Sequence, residues 1–135
     1  MSLHGITKDT ELKDKIEQYW NLELQGVGIY YTLSRLAKEQ GFDDIAQTLI
    51  GLGNDEARHA GLYGTLNGKM PVDFFKVLEQ AVHGEENGML EIKKIVESLK
   101  GLGLAQAAAE VDAAANDEGH HAQVLKNLLQ KYKKD

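Results

Sequence analysis

The sequence contains no cysteine. This absence excludes disulfides, thiol catalysis, zinc sites closed by thiolates and iron centres held by cysteine. Any redox chemistry performed by this chain must therefore use a different kind of cofactor.

Other features are scarce, and each scarcity excludes a class of protein. A single proline argues against a collagen-like or low-complexity chain. No run of 18 apolar residues is present, and the segment 1–14 has no apolar signal-peptide core, so we expect a cytoplasmic protein without a membrane partner. Positive charge is also in deficit: the net charge is −6 and the pI is about 5.3. Nucleic acid is therefore not an expected partner.

What is present is helical periodicity. Alternation by two residues never persists, whereas apolar residues recur with a period near 3.6, so the chain is predicted to be all-α. A length of 135 residues suits a single domain, 1–135. We predict four helices, over residues of about 9–40, 43–66, 72–100 and 105–131.

Two matching motifs organise the chain. The segments 54–60 and 116–122 each contain a Glu and a His three residues apart, so that both side chains leave one helix in the same direction. The motifs are offset by 62 residues, and the same offset relates a Glu on the first helix to a Glu on the third. These residues form two sets of three: Glu23, Glu56 and His59, and Glu85, Glu118 and His121.

The offset extends well beyond the motifs. Aligning residues 16–67 with 78–129 without gaps pairs many identical residues, among them Gly26 with Gly88. The chain is therefore two copies of a helix pair, with repeat halves of about 9–67 and 72–131. A pseudo-twofold four-helix bundle is the expected fold.

Four of the six residues are carboxylates on predicted apolar faces, where burial and mutual repulsion are both unfavourable. Two divalent cations, with a combined charge of about +4, would neutralise them. Mixed carboxylate and imidazole ligation suits iron or manganese better than a structural zinc. A single Glu-x-x-His motif is weak evidence of metal, but two at a constant offset, each paired with a Glu on the preceding helix, are the known pattern of a di-iron bundle.

Four further residues are weaker candidates, each with a plainer alternative. Glu86 projects about 100° around the helix from its neighbouring ligand and is either an extra carboxylate ligand or a solvated acid. Asp55 and Asp117 either hold the imidazole N–H of a ligand His from the opposite motif or are solvated. Tyr30, seven residues after the first Glu, either donates a hydrogen bond to a ligand carboxylate or is part of the core.

On these residues the chain resembles the rubrerythrins of the ferritin-like superfamily. The resemblance covers nearly the whole chain, and the segments that carry it are Tyr31-Thr32, Ala37, Glu39, Gly41-Phe42, Ile45-Ala46, 56–60, Gly84-Glu85 and the Glu118-x-x-His121 motif.

The resemblance implies a non-haem di-iron protein that reduces hydrogen peroxide to water, with electrons ultimately from NAD(P)H through rubredoxin. It implies iron on the six candidate ligands, with manganese or zinc as other occupants, and Tyr30 as a hydrogen-bond donor to a ligand. The rubredoxin domain that the family usually carries is not in this sequence, so we expect an external electron donor such as rubredoxin.

Two positions depart from related patterns. The rubrerythrins tend to have a second Glu at the position of Gly88, so a redox-linked exchange of that ligand is not expected here. Without it the site is more similar to that of bacterioferritin, but Ala57 stands where the haem-ligand Met would be, so no haem is expected. Two alternatives remain open: a ferroxidase that oxidises ferrous iron with O2 and handles or stores it, and a bundle in which the metals are purely structural.

The connection between the repeats predicts a homodimer. If a twofold axis relates the two halves of one site, the second and third helices run parallel. The chain must then extend about 30 Å between residues 66 and 72, from one end of the bundle to the other. Six residues span only about 20 Å. We therefore expect two chains to exchange helix pairs, so that each site takes three ligands from each chain.

Overall fold

The computed structural model describes residues 1–132, and all of its regular secondary structure is helical. The predicted all-α class is thus confirmed. The helices are α1 (Lys13–Glu39), α2 (Asp43–Leu66), α3 (Phe75–Gly101) and α4 (Ala105–Tyr132). Helix α1 packs on α2 and helix α3 packs on α4, the two pairs that a four-helix bundle requires. Over residues 1–132, no helix has the length and apolar character needed to cross a membrane.

The chain divides into two compact units, Met1–Val72 and a second unit that begins at Asp73. Each unit is one antiparallel helix pair closed by a tight turn, and each turn contains a glycine in the left-handed region, Gly41 at φ +84° and Gly103 at φ +75°. Glycine adopts this conformation without the steric cost that a Cβ imposes, so both turns stay short.

The tightest packing in each pair is a seam of small side chains. Apart from Gly64, the buried residues of α2 and α4 recur every seven positions, as expected where two helices pack along one face. In the first pair the hydroxyl of Ser34 donates a hydrogen bond of 2.7 Å to the carbonyl of Ala46, and the repeat position of Ser34 in α3 is the fully buried Val96. The seam residues are Ala46, Gly53, Ala60, Ala108, Ala115 and Ala122.

Two predicted helix starts were too early. Helix α1 begins at Lys13 instead of about residue 9, because the preceding segment pairs with the end of α2: Gly5 N–H and Thr7 N–H donate to the carbonyls of Thr65 and Leu66. Helix α3 begins at Phe75 instead of about residue 72, after an irregular stretch that follows the only proline. The other helix ends agree with the prediction to within one residue.

The 3.6-residue periodicity predicts that the apolar stripe of each helix faces inward, but several large residues of these stripes are exposed. A helix pair can cover only the side of each helix that faces its neighbour, so the remaining apolar side stays open to solvent. The exposed large residues of the predicted stripes are Leu12, Leu33, Ile45, Leu52, Ile95 and Leu128.

Candidate metal centre

The first helix pair brings together three of the predicted ligands. Glu23 projects from α1, and Glu56 and His59 project from consecutive turns of α2. Each offers a ligand atom within 4.8 Å of the others, and His59 Nδ1 lies 3.6 Å from Glu23 Oε2. The arrangement is the predicted one, with a Glu from one helix facing a Glu-x-x-His motif on the other.

The second pair repeats this geometry. Glu85 on α3 meets Glu118 and His121 on α4, again with ligand atoms within 4.8 Å of one another. His121 Nδ1 lies 3.5 Å from Glu85 Oε2 and 3.4 Å from Glu118 Oε2. Each unit therefore carries one half of the predicted six-residue set.

The Glu23 side chain is largely buried, and its surroundings bear on metal binding. The Glu23 side chain is only 13% exposed, and its Oε2 atom is buried without a hydrogen-bond partner in the described part of the chain. A buried carboxylate oxygen without a partner is costly, whereas a cation beside it would remove the penalty. The residues in this unit thus have the chemistry and the unsatisfied acceptor expected of a metal ligand set.

In the second unit the two carboxyl groups interact with each other. A hydrogen bond with Glu85, burial and the Glu85 charge together raise the pKa of Glu118 above its usual value, although the nearby His121 opposes the shift. The negative charges of neighbouring carboxylates repel, and a divalent cation beside them would remove that repulsion.

One glycine makes room for a ligand. A Cβ at Gly26 would stand 3.3 Å from Cγ and Oε2 of Glu56, closer than an ordinary contact. The equivalent Gly88 has no such neighbour: nothing in residues 1–132 lies within 4 Å of the position of its Cβ. Gly26 therefore allows the Glu56 carboxylate to lie against α1, and sequence analysis had matched the two glycines without finding this difference.

The weaker candidates have different surroundings. Glu86 pairs with Lys126 on α4, and that hydrogen bond lowers the pKa of Glu86, so its carboxylate is engaged away from the ligand set. Asp55 pairs with Arg58 on its own helix. Tyr30 is half-buried on α1, and Asp117 is exposed on α4. The predicted contacts of Tyr30, Asp55 and Asp117 with ligands remain predictions.

Comparison with known proteins gives two relatives. The chain is 32% identical over 128 residues to Uncharacterized protein MJ0746 of Methanocaldococcus jannaschii, covering 95% of this chain and 91% of that protein. It is 28% identical over 131 residues to Reverse rubrerythrin-1 of Clostridium acetobutylicum, covering 95% of this chain and 72% of that protein. No family model and no solved structure matches the chain. The second similarity is distant, and it agrees with the rubrerythrin-like ligand pattern.

Proposed function

This chain belongs to the same family as Uncharacterized protein MJ0746 of M. jannaschii, and we propose that it is a rubrerythrin-like di-iron protein that reduces hydrogen peroxide to water. The observation that carries the proposal is the pair of matching Glu, Glu and His clusters, one of which contains a buried carboxylate oxygen without a hydrogen-bond partner among residues 1–132. The distant similarity to a reverse rubrerythrin supports the same conclusion.

The six clustered residues would hold two iron ions between them. Four carboxylates balance two divalent cations, and the imidazoles complete a mixed oxygen and nitrogen donor set that suits iron or manganese. When bound, two ferrous ions supply the two electrons that, with two protons, convert hydrogen peroxide to two molecules of water. An external donor such as rubredoxin then returns two electrons to the site.

The protein's own contribution is to hold and neutralise this set. Glu23 supplies a desolvated carboxylate, and Glu85 lies close enough to Glu118 to raise the pKa of Glu118. The Tyr30 hydroxyl, on the ligand side of α1, would donate to a ligand carboxylate and fix its orientation. Gly26 keeps space for the Glu56 carboxylate.

We also propose that a complete centre is built by two chains that exchange helix pairs. Leu66 lies ten residues after Glu56, and Phe75 lies ten residues before Glu85. Suppose that α2 and α3 run parallel and that Glu56 and Glu85 lie at the same level of the bundle. At 1.5 Å per helical residue, the connection must then extend about 30 Å along the bundle.

Only part of the connection can span this distance, because its first residues remain hydrogen-bonded to α2. The backbone N–H groups of Asn67 and Lys69 donate to the carbonyls of Tyr63 and Gly64 in the last turn of the helix. Six residue steps remain from Lys69 to Phe75, and they span only about 20 Å when fully extended. The large apolar side chains exposed on both pairs supply the surface that an exchanged partner would cover.

The reaction is tested by rapid mixing of the anaerobically reduced, iron-loaded protein with hydrogen peroxide and, separately, with O2. We expect oxidation by peroxide to be at least tenfold faster, with two iron ions per chain by metal analysis. Faster oxidation by O2, with repeated turnover of added ferrous iron, would instead favour the iron-handling alternative. A protein that binds two metal ions but reacts with neither oxidant would favour a structural role.

The exchange is tested by complementation. One variant loses the first half-site through Glu56→Ala and His59→Ala, and the other loses the second through Glu118→Ala and His121→Ala. If helix pairs are exchanged, a mixed dimer contains one intact centre, so co-expression restores metal binding that neither variant has alone. If each centre is built within one chain, the mixture binds no more metal than the separate variants.

A further inference from the structure

In each helix pair, a side chain of one helix donates a hydrogen bond to the asparagine that begins the ligand motif on the other helix. In the first pair the Tyr31 hydroxyl on α1 donates a hydrogen bond of 2.5 Å to Asn54 Oδ1 on α2. In the second, the Lys93 ammonium on α3 donates to Asn116 Oδ1 on α4 at 2.8 Å and to Asp112 Oδ1 at 2.6 Å. The two contacts bear on each other only if their positions correspond in the repeat.

The positions do correspond. Tyr31 and Lys93 are related by the 62-residue offset, and so are Asn54 and Asn116. In each half the donor lies eight residues after the ligand Glu of its helix, and the Asn lies two residues before the ligand Glu of the motif. The contact is thus maintained in both repeats although the donor changes from a phenol to an ammonium.

The residue that precedes each asparagine also differs between the two repeats. A Cβ at Gly53 would lie 2.6 Å from the Tyr31 ring, so the aromatic donor requires glycine at that position. The equivalent residue in the second half is Ala115, which is completely buried. The two repeats therefore reach the same contact with different but matched pairs of side chains.

The contact lies on the flank of each helix pair that is opposite to the ligands. At 100° per residue, Asn54 is about 160° around α2 from Glu56. A hydrogen bond on this flank resists rotation of α2 about its own axis. A helix with its side chains has a radius of about 5–6 Å, so a rotation of about 10° would move a ligand carboxylate by about 1 Å.

We propose that Asn54 and Asn116, held by Tyr31 and Lys93, are positioning residues that set the rotation of the two motif helices and so the spacing of the metal ligands. The proposal rests on the proposed function, because it assigns these residues a role toward the two metal ions. They do not contact the ligands, and they act through the orientation of the helix that carries them.

Cobalt(II) is the probe, since its visible absorption reports ligand geometry as well as occupancy. Tyr31→Phe removes only the hydroxyl group and keeps the ring on Gly53. We expect it to lower cobalt affinity about tenfold, within the range typical of residues that orient ligands, and to change the shape of the visible bands. The matched control is Tyr132→Phe, which removes a hydroxyl group from an exposed tyrosine at the end of α4.

The second half has a control one residue away. Lys93→Met removes the ammonium that bridges Asn116 and Asp112, whereas Lys94→Met removes one that pairs with Glu91 on its own helix. We expect Lys93→Met to weaken and distort cobalt binding and Lys94→Met to leave it unchanged. Asn54→Asp, which keeps an acceptor for Tyr31, should bind cobalt more tightly than Asn54→Leu.

The outcomes separate this proposal from the proposed function. If the unmodified protein binds two cobalt ions per chain, and Tyr31→Phe and Lys93→Met bind them with unchanged affinity and spectrum, the positioning role is overturned and the metal centre stands. If the unmodified protein binds no cobalt, the proposed function falls, and the positioning role falls with it. A loss of thermal stability with unchanged cobalt spectra would also overturn the proposal, since it would indicate a purely structural contact.

Discussion

Gly26 and Gly88 occupy equivalent positions, yet a methyl group added at Gly26 would touch Glu56, a proposed metal ligand, whereas one added at Gly88 would have no atom of residues 1–132 within 4 Å. We therefore predict different consequences for Gly26→Ala and Gly88→Ala. Both replacements lie inside helices, where alanine is favoured over glycine by up to about 1 kcal/mol. On helix propensity alone, both variants should melt at a slightly higher temperature than the unmodified protein when metal is absent.

The two variants should differ in their affinity for metal. The new Cβ at position 26 would stand 3.3 Å from Cγ and Oε2 of Glu56 and 3.5 Å from its Cδ. Ordinary contacts are a few tenths of an ångström longer, so the carboxylate must shift by that amount. Metal sites tolerate ligand displacements of only about 0.2 Å. We expect about a tenfold loss of affinity, which lowers the stabilisation by saturating metal by about 1.4 kcal/mol.

The assay is thermal unfolding of each variant without metal and with cobalt(II), together with a cobalt titration followed by absorption. Gly88→Ala serves as the matched control, because it carries the same propensity gain without the contact. Equal cobalt affinities of the two variants, or a weaker affinity for Gly88→Ala, would refute the conclusion that Gly26 makes room for the Glu56 carboxylate.

Three further predictions concern stability. Because the pKa of Glu118 is raised by its hydrogen bond with Glu85, ionisation of this group should lower the stability of the folded metal-free protein as pH rises above 4.5, the ordinary glutamate value; in thermal melts over a pH series, the melting temperature of Glu118→Gln should therefore rise relative to that of the unmodified protein. Removal of metal with a chelator should lower the melting temperature, since free metal at about 100 times its dissociation constant contributes about 2.7 kcal/mol per site; an unchanged melt would contradict metal binding. Asn67→Ala should lower the free energy of unfolding by about 1–3 kcal/mol, measured by urea denaturation, because the buried Asn67 side chain bonds both the Thr7 hydroxyl and the Lys13 carbonyl.

Much of the fold was predictable because its signals are periodic. The apolar repeat gave the bounds of α2 as Asp43–Leu66, as observed. The start of α1 was harder to predict, because it depends on contacts between segments distant in sequence: the Thr7 N–H donates to the Leu66 carbonyl, and the Thr7 hydroxyl donates to the Asn67 side chain. No local pattern reports such a contact.

The site was predictable in composition but not in detail. The 62-residue offset identified the ligand clusters, since a metal requires the same residue types at the same spacing in each half. It also paired Asn54 with Asn116, but an asparagine on an exposed helix face has many roles. The donors facing them, Tyr31 and Lys93, are unlike each other, so the shared contact could be recognised only from the packed helices.

The structure of each helix pair explains why the exposed apolar residues were predicted to face inward. A helix stripe that carries both large apolar residues and a carboxylate such as Glu23 is stable only if a counter-charge lies beside that carboxylate. The seam that joins each pair uses small residues such as Ala46 and Ala108, so the large apolar residues remain exposed. Each cluster also leaves its imidazole about half exposed, with His59 at 51% and His121 at 54%. If two chains exchange helix pairs as proposed, metal binding and association are coupled, because joining the halves would bury the clustered residues and the apolar stripes in one step. The metal-loaded protein should then dissociate less readily on dilution than the metal-free protein.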